Sequence, residues 1–202
     1  MNDSLAGTAR LIRQTFWGLL PLFLLALSGC GSSHSPAGGE SAQASPETPG
    51  QPRTIICTTG MVADLVRNVA RSPIEKKRLE VVQLMSDEAD PHLYKTSPND
   101  ILKMQRADAI VYSGLHLEGK MGQVFENLAR RKQILAVAEQ LPPDRIIRMD
   151  EHFPDPHVWF DVELWSSGIP SVVKLVGELF PDERDRIEAD AAEYRKQLRH
   201  LH

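Results

Sequence analysis

Apolar and polar positions alternate between two periods along most of this chain. Thr54 to Thr58 is a short apolar run rich in β-branched residues, and Gly60 follows it. From Met61 to Ala70 the apolar positions 62, 65, 66 and 69 then repeat at helical spacing. This predicts a strand, a tight turn and a helix. The unit recurs: Leu79 to Met85 reads as a second strand, followed by a polar loop from Ser86 to Thr96. Ser97-Pro98-Asn99-Asp100 opens the next helix, with Ser97 as N-cap and Pro98 in the first helical position. Ala107 to Tyr112 is a third strand, Gly119 to Arg131 a helix, and Gln133 to Ala138 a fourth strand. Strands alternating with helices at this spacing predict an α/β fold, a parallel sheet with right-handed crossovers. After Trp159 the pattern is helical, with a bend expected at Gly168-Ile169-Pro170 and a break at Pro181. The last segment, Asp182 to His202, carries Ile187, Ala191, Tyr194 and Leu198 on one stripe and reaches the end without a C-cap signal. A helix cut off in mid-pattern predicts that the architecture continues past the chain.

The first fifty residues follow other rules. Arg10 and Arg13 precede an apolar run from Phe16 to Leu27, about a dozen residues against the roughly 20 of a membrane-spanning helix. The run ends in Leu27-Ser28-Gly29-Cys30, which matches a bacterial lipobox. Residues 1–29 are therefore expected to be a lipoprotein signal peptide, and Cys30 the lipidated residue that anchors an exported protein to a membrane. A short transmembrane anchor with an incidental Cys is the competing reading. Residues 30–52, rich in Gly, Ser, Pro, Ala and Glu, read as a flexible tether. With Cys30 acylated, Cys57 has no disulfide partner, and its setting in Ile55-Ile56-Cys57 predicts a small buried core residue.

Composition changes this picture little. The 202 residues are 42% hydrophobic and 25% charged, ordinary for a globular protein, and the net charge of -4 offers no basic field for nucleic acid.

The candidate chemistry lies in two Asp-Pro-His triplets. His92 follows the second strand in Asp90-Pro91-His92, and His157 follows the fourth in Asp155-Pro156-His157. Ligands of an open parallel sheet bind beyond the carboxyl ends of its strands, so both imidazoles fall on the functional edge. Two neutral imidazoles there can converge on one divalent cation such as zinc or manganese. Asp90 and Asp155 are either acceptors that fix the ring tautomers or turn residues before proline. His116 follows the third strand on the same edge, as a loop-packing or outer residue or as a third ligand. Glu118 is either a site carboxylate or an ordinary charge at a helix start.

Thr58-Thr59-Gly60-Met61-Val62-Ala63-Asp64, Ala89-Asp90-Pro91-His92-Leu93-Tyr94, Gly114-Leu115-His116-Leu117-Glu118-Gly119-Lys120-Met121 and Asp155-Pro156-His157-Val158-Trp159-Phe160-Asp161 stand in this order. Together, from residue 53 to 202, they resemble the zinc- and manganese-binding solute-binding lipoproteins of ABC importers. The resemblance implies two α/β lobes joined by a long rigid helix, with the metal gripped between them. Residues 53–180 would be the first lobe and 181–202 the start of the connecting helix, with the second lobe absent. It implies that His92 and His157 are the first lobe's metal ligands, with the other two supplied by the second lobe. It further implies zinc or manganese as transported cargo, an ABC permease as partner, and a location in the periplasm or at the cell exterior. His152 alone occupies the stretch Leu141 to Pro154, where zinc-specific relatives often carry a His-rich loop, so the metal stays open. Two further readings compete: a truncated remnant or surface adhesin with weak metal binding, and a zinc-dependent hydrolase. The hydrolase lacks support in motifs, since neither His-Glu-x-x-His, Gly-x-Ser-x-Gly nor a Walker loop occurs.

Overall fold

A computed structural model of the chain describes residues 50–150 and 153–201. The signal peptide, Cys30, most of the tether and His152 lie outside the described residues.

Four strands, β1 (Arg53–Cys57), β2 (Leu79–Gln83), β3 (Ala109–Tyr112) and β4 (Gln133–Ala136), form one parallel sheet in the order β2-β1-β3-β4. Alternate residues of the two central strands feed opposite layers. Ile55, Cys57, Ala109 and Val111 face a core completed by α1 (Gly60–Val69), α5 (Val162–Ser166), α6 (Ile169–Leu179) and α7 (Arg184–Leu201). Ile56 and Ile110 face a smaller core with Met104 of α3 (Pro98–Arg106) and Phe125 of α4 (Gly122–Ala129). Helices thus cover both faces, as a parallel sheet requires. Cys57 is fully buried in the larger core, where burial pushes its thiol pKa far up and leaves it inert.

Several boundaries differ from the periodic pattern. β3 begins at Ala109 because Ala107 caps α3 and Asp108 turns the chain, its carboxylate accepting from the Thr54 amide at 2.7 Å. The helix expected from Gly119 opens with a 3-10 turn over Gly119–Met121 before α4 proper. The bend expected near Gly168 is a full break between α5 and α6. A Cβ at Gly168 would lie 2.7 Å from Val137 Cγ1, so glycine lets this corner sit against the end of β4. Pro181 separates α6 from α7 as expected, through a 3-10 turn at Pro181–Glu183.

A short helix, α2 (Arg71–Glu75), receives the start of α7. The α7 stripe Ile187, Ala191, Tyr194 and Leu198 is buried in the larger core, and Tyr194 Oη donates to Asp64 Oδ2 at 2.6 Å. Beside it Glu183, almost fully buried, accepts from Ser72 Oγ at 2.8 Å, Lys76 Nζ at 2.7 Å and Arg78 Nη1 at 3.0 Å. Burial pushes the Glu183 carboxyl up, but these donors outweigh it and hold the carboxyl below its ordinary 4.5. A carboxyl that ionises more readily in the folded state stabilises the fold above pH 4.5 and stops doing so as pH falls through its folded value. Glu183→Gln is therefore expected to cost about 2 kcal/mol at pH 7, or a Tm roughly 4–8 °C lower. The difference should shrink below pH 4.5, as read by thermal unfolding across pH.

Candidate functional site

The sheet reverses its winding direction between β1 and β3, and the loops at the carboxyl ends of all four strands gather there. Each loop is held by its own chemistry. After β2, the loop carrying His92 ends where Asp100 accepts from Ser97 N at 2.9 Å, Ser97 Oγ at 2.7 Å and Tyr94 Oη at 2.9 Å. This is the capping box of α3 extended by a tyrosine. Burial, with help from Asp100, pushes the Tyr94 hydroxyl up to about 12 and keeps it a donor.

After β3, Gly114, Leu115 and His116 all take positive φ, at 93°, 50° and 65°. Two consecutive non-glycine residues in this region are unusual. Leu117 is fully buried beyond the turn. Glu118 turns inward, its carboxylate accepting from Thr58 Oγ1 at 2.7 Å, Ser113 N at 2.8 Å and Gly114 N at 3.2 Å. Glu118 thus ties the ends of β1 and β3 together. Glu118 does stand at a helix start, heading the 3-10 turn Gly119–Met121, but its side chain is buried in this brace. Only the pairing of β1 with β3 brings Thr58 and Glu118 together, sixty residues apart.

After β4, Asp155 N donates to Ile147 O at 2.7 Å, and Asp161 caps α5 by accepting from Leu164 N at 2.9 Å. His157 is fixed between these two points. Its ring meets Trp159 edge-on, with centroids 5.3 Å apart, and stacks toward Phe160 at 6.4 Å. The motif contained both aromatics, but nothing in the one-dimensional pattern gave them a role beside the imidazole.

The two triplet histidines converge. His92 Nε2 and His157 Nε2 lie 3.3 Å apart, although 65 residues separate them in the chain. The two aspartates prove different. Among the described residues Asp90 Oδ1 accepts from the His92 backbone amide, at 2.9 Å, the bond of a turn before proline. Asp155 Oδ1 accepts from the His157 amide at 3.0 Å and also meets His157 Nδ1 at 2.6 Å. Those bonds hold the Asp155 carboxyl below the usual carboxylate range. With Nδ1 donating to Asp155, the neutral His157 ring presents the Nε2 lone pair outward, toward His92. His116 stands aside, exposed on the rim of a cavity of about 290 Å³ that it lines with His92, Met149 and Phe153. Among the described residues no group of three His, Cys, Asp or Glu side chains comes together around one point.

A parallel sheet with two imidazoles meeting over its switch point makes this an α/β ligand-binding lobe. More specifically, residues 55–202 match the family described as zinc-uptake complex component A, periplasmic, and the chain belongs to that family. The manganese-binding lipoprotein MntA of Bacillus subtilis is 35% identical over 191 residues, covering 94% of this chain and 58% of that protein. The zinc-binding protein TroA of Treponema pallidum is 38% identical over 144 residues, 71% of this chain and 45% of TroA. The solved structure of TroA superposes with a TM-score of 0.70 at 37% identity, covering 75% of this chain and 53% of that one. The manganese-bound periplasmic metal-binding protein of Candidatus Liberibacter asiaticus superposes at 0.62 with 27% identity, over 73% of this chain and 53% of that one. The chain spans about half the length of these relatives, in keeping with one lobe and a following helix.

Proposed function

We infer that this chain captures a divalent transition-metal ion, zinc or manganese, outside the cytoplasm for delivery to the permease of an ABC importer. The observation that carries this reading is the pair of Nε2 atoms 3.3 Å apart. Two nitrogens bound to one divalent ion at about 2.0–2.2 Å stand roughly 3 Å or a little more apart, so the pair suits a shared ion of either kind. His92 and His157 would be the ligands, and Asp155 the acceptor that orients the His157 ring. Asp90 closes the turn that carries His92, Glu118 braces the sheet ends beneath the pair, and His116 lines the cavity beside His92. The relatives are named as binding proteins, which supports capture and release over turnover, and a hydrolase would need a third ligand and a general base beside the ion.

Isothermal titration of the chain with zinc and with manganese, beside an assay for ester and phosphoester hydrolysis, tests the reading. Saturable binding without turnover is the expected result; hydrolysis that tracks metal occupancy would replace capture with catalysis. Export and anchoring rest on Leu27-Ser28-Gly29-Cys30 and on relatives named as lipoproteins. Cys30→Ala is expected to shift the protein out of the membrane fraction or leave its signal uncleaved. A processed Cys30→Ala protein still sedimenting with membranes would count against the lipid.

A further inference from the structure

We propose that Glu118 is a positioning residue of the metal site: its buried carboxylate clamps a left-handed turn to the strand ends and so sets where His92 stands. The proposal rests on the reading of His92 and His157 as metal ligands. Glu118 bonds to neither imidazole and acts through the backbone beneath them.

All four strand ends are tied to this carboxylate, two of them directly. Oε1 accepts from Thr58 Oγ1 beyond β1 and from Ser113 N beyond β3. Thr58 O in turn accepts from Met85 N at 3.0 Å, at the start of the loop that carries His92. Ser113 O accepts from Ala138 N at 2.8 Å, on the way from β4 to His157. Glu118 is 3% exposed, so water does not compete for these bonds.

The other oxygen has a separate task. Oε2 accepts from Gly114 N, the first residue of the turn in which Gly114, Leu115 and His116 take positive φ. Glycine adopts such angles freely, whereas a Cβ makes them costly for leucine and histidine, so the turn needs holding. Held, it seats half-buried Leu115 against the larger core, where it lines the same cavity as His92. The bonds nearest His92 in its own loop, His92 N to Asp90 Oδ1 and Leu93 N to Asp90 O, join that loop to itself. The wall that includes Leu115 therefore limits where the His92 ring can go, and with it the meeting with His157.

Glu118→Gln separates the turn from the strand ties. The amide oxygen can keep both Oε1 bonds, but its NH2 then faces the Gly114 amide, donor against donor. Titration calorimetry of the full chain in detergent with zinc chloride is expected to show about tenfold weaker binding. Gly114→Ala disturbs the same turn with Glu118 in place, since its Cβ would lie 3.1 Å from Ala136 Cβ, and should weaken binding likewise. His116→Gly added to Glu118→Gln removes the cost of one left-handed residue and should restore most of the affinity. Glu183→Gln loosens the fold at the α2–α7 cluster and should leave zinc affinity as it is, which separates positioning from general loss of stability. If Glu118→Gln and Gly114→Ala bind zinc like the parent chain and only unfold at lower temperature, the carboxylate is a brace alone and metal capture stands. A loss that His116→Gly does not recover would overturn the route through the turn. A parent chain that takes up no zinc would overturn the metal site itself, and the positioning role with it.

Discussion

Replacing either His92 or His157 with Ala is expected to weaken zinc or manganese binding by more than tenfold, about 1.4 kcal/mol or more. The expectation follows from geometry. Each ring supplies one of two nitrogens that meet at 3.3 Å, and no third His, Cys, Asp or Glu among the described residues is placed to take over. Neighbouring substitutions separate this effect from general damage to the loops. Asp155→Ala removes the acceptor that holds His157 Nδ1, and should cost about tenfold or more in affinity, as loss of such an outer partner does at other metal sites. Asp90→Ala removes only a bond to the His92 backbone and should cost clearly less. Titration calorimetry on the four variants gives the order. Equal and negligible effects at His92 and His157 would refute the two-triplet site.

The chain by itself, at concentrations too dilute for copies to meet, is expected to bind metal at micromolar affinity or weaker, about -8 kcal/mol or less in magnitude. Two imidazoles leave most of the ion's coordination to water, and the gain in affinity from excluding that water is not available on an open lobe. A longer chain in which a second lobe follows α7 should bind orders of magnitude more tightly, and metal should then protect it against heat. The packing of α7 makes that lobe's position predictable. Its buried stripe and the Glu183 cluster hold the helix rigidly against α1 and α2, so a lobe continuing from it would be carried on a stiff arm. Competition against a chelator of known affinity, with and without the added lobe, measures the gain. Nanomolar affinity for the 202-residue chain as a monomer would mean that it completes a site unaided.

Periodicity in the sequence was sufficient for the α/β class, because each strand and helix buries a face whose spacing is local. The same holds for the Ser97 cap, whose partners lie within three residues, and for the break at Pro181, a property of the proline ring. The triplets could be placed on the functional edge because a parallel sheet leaves the loops after its strands on one side. What the sequence could not contain were distances between segments far apart in the chain. That His92 and His157 meet depends on the order β2-β1-β3-β4 and on the loops that aim them, which no single window of residues encodes. Asp90 and Asp155 occupy identical triplets yet act differently, because only at Asp155 does the ring turn back far enough for Nδ1 to reach the carboxylate. Glu118 was ambiguous for the same reason: its partner Thr58 belongs to another strand, and the burial that turns the carboxylate inward exists only once β1 and β3 lie side by side.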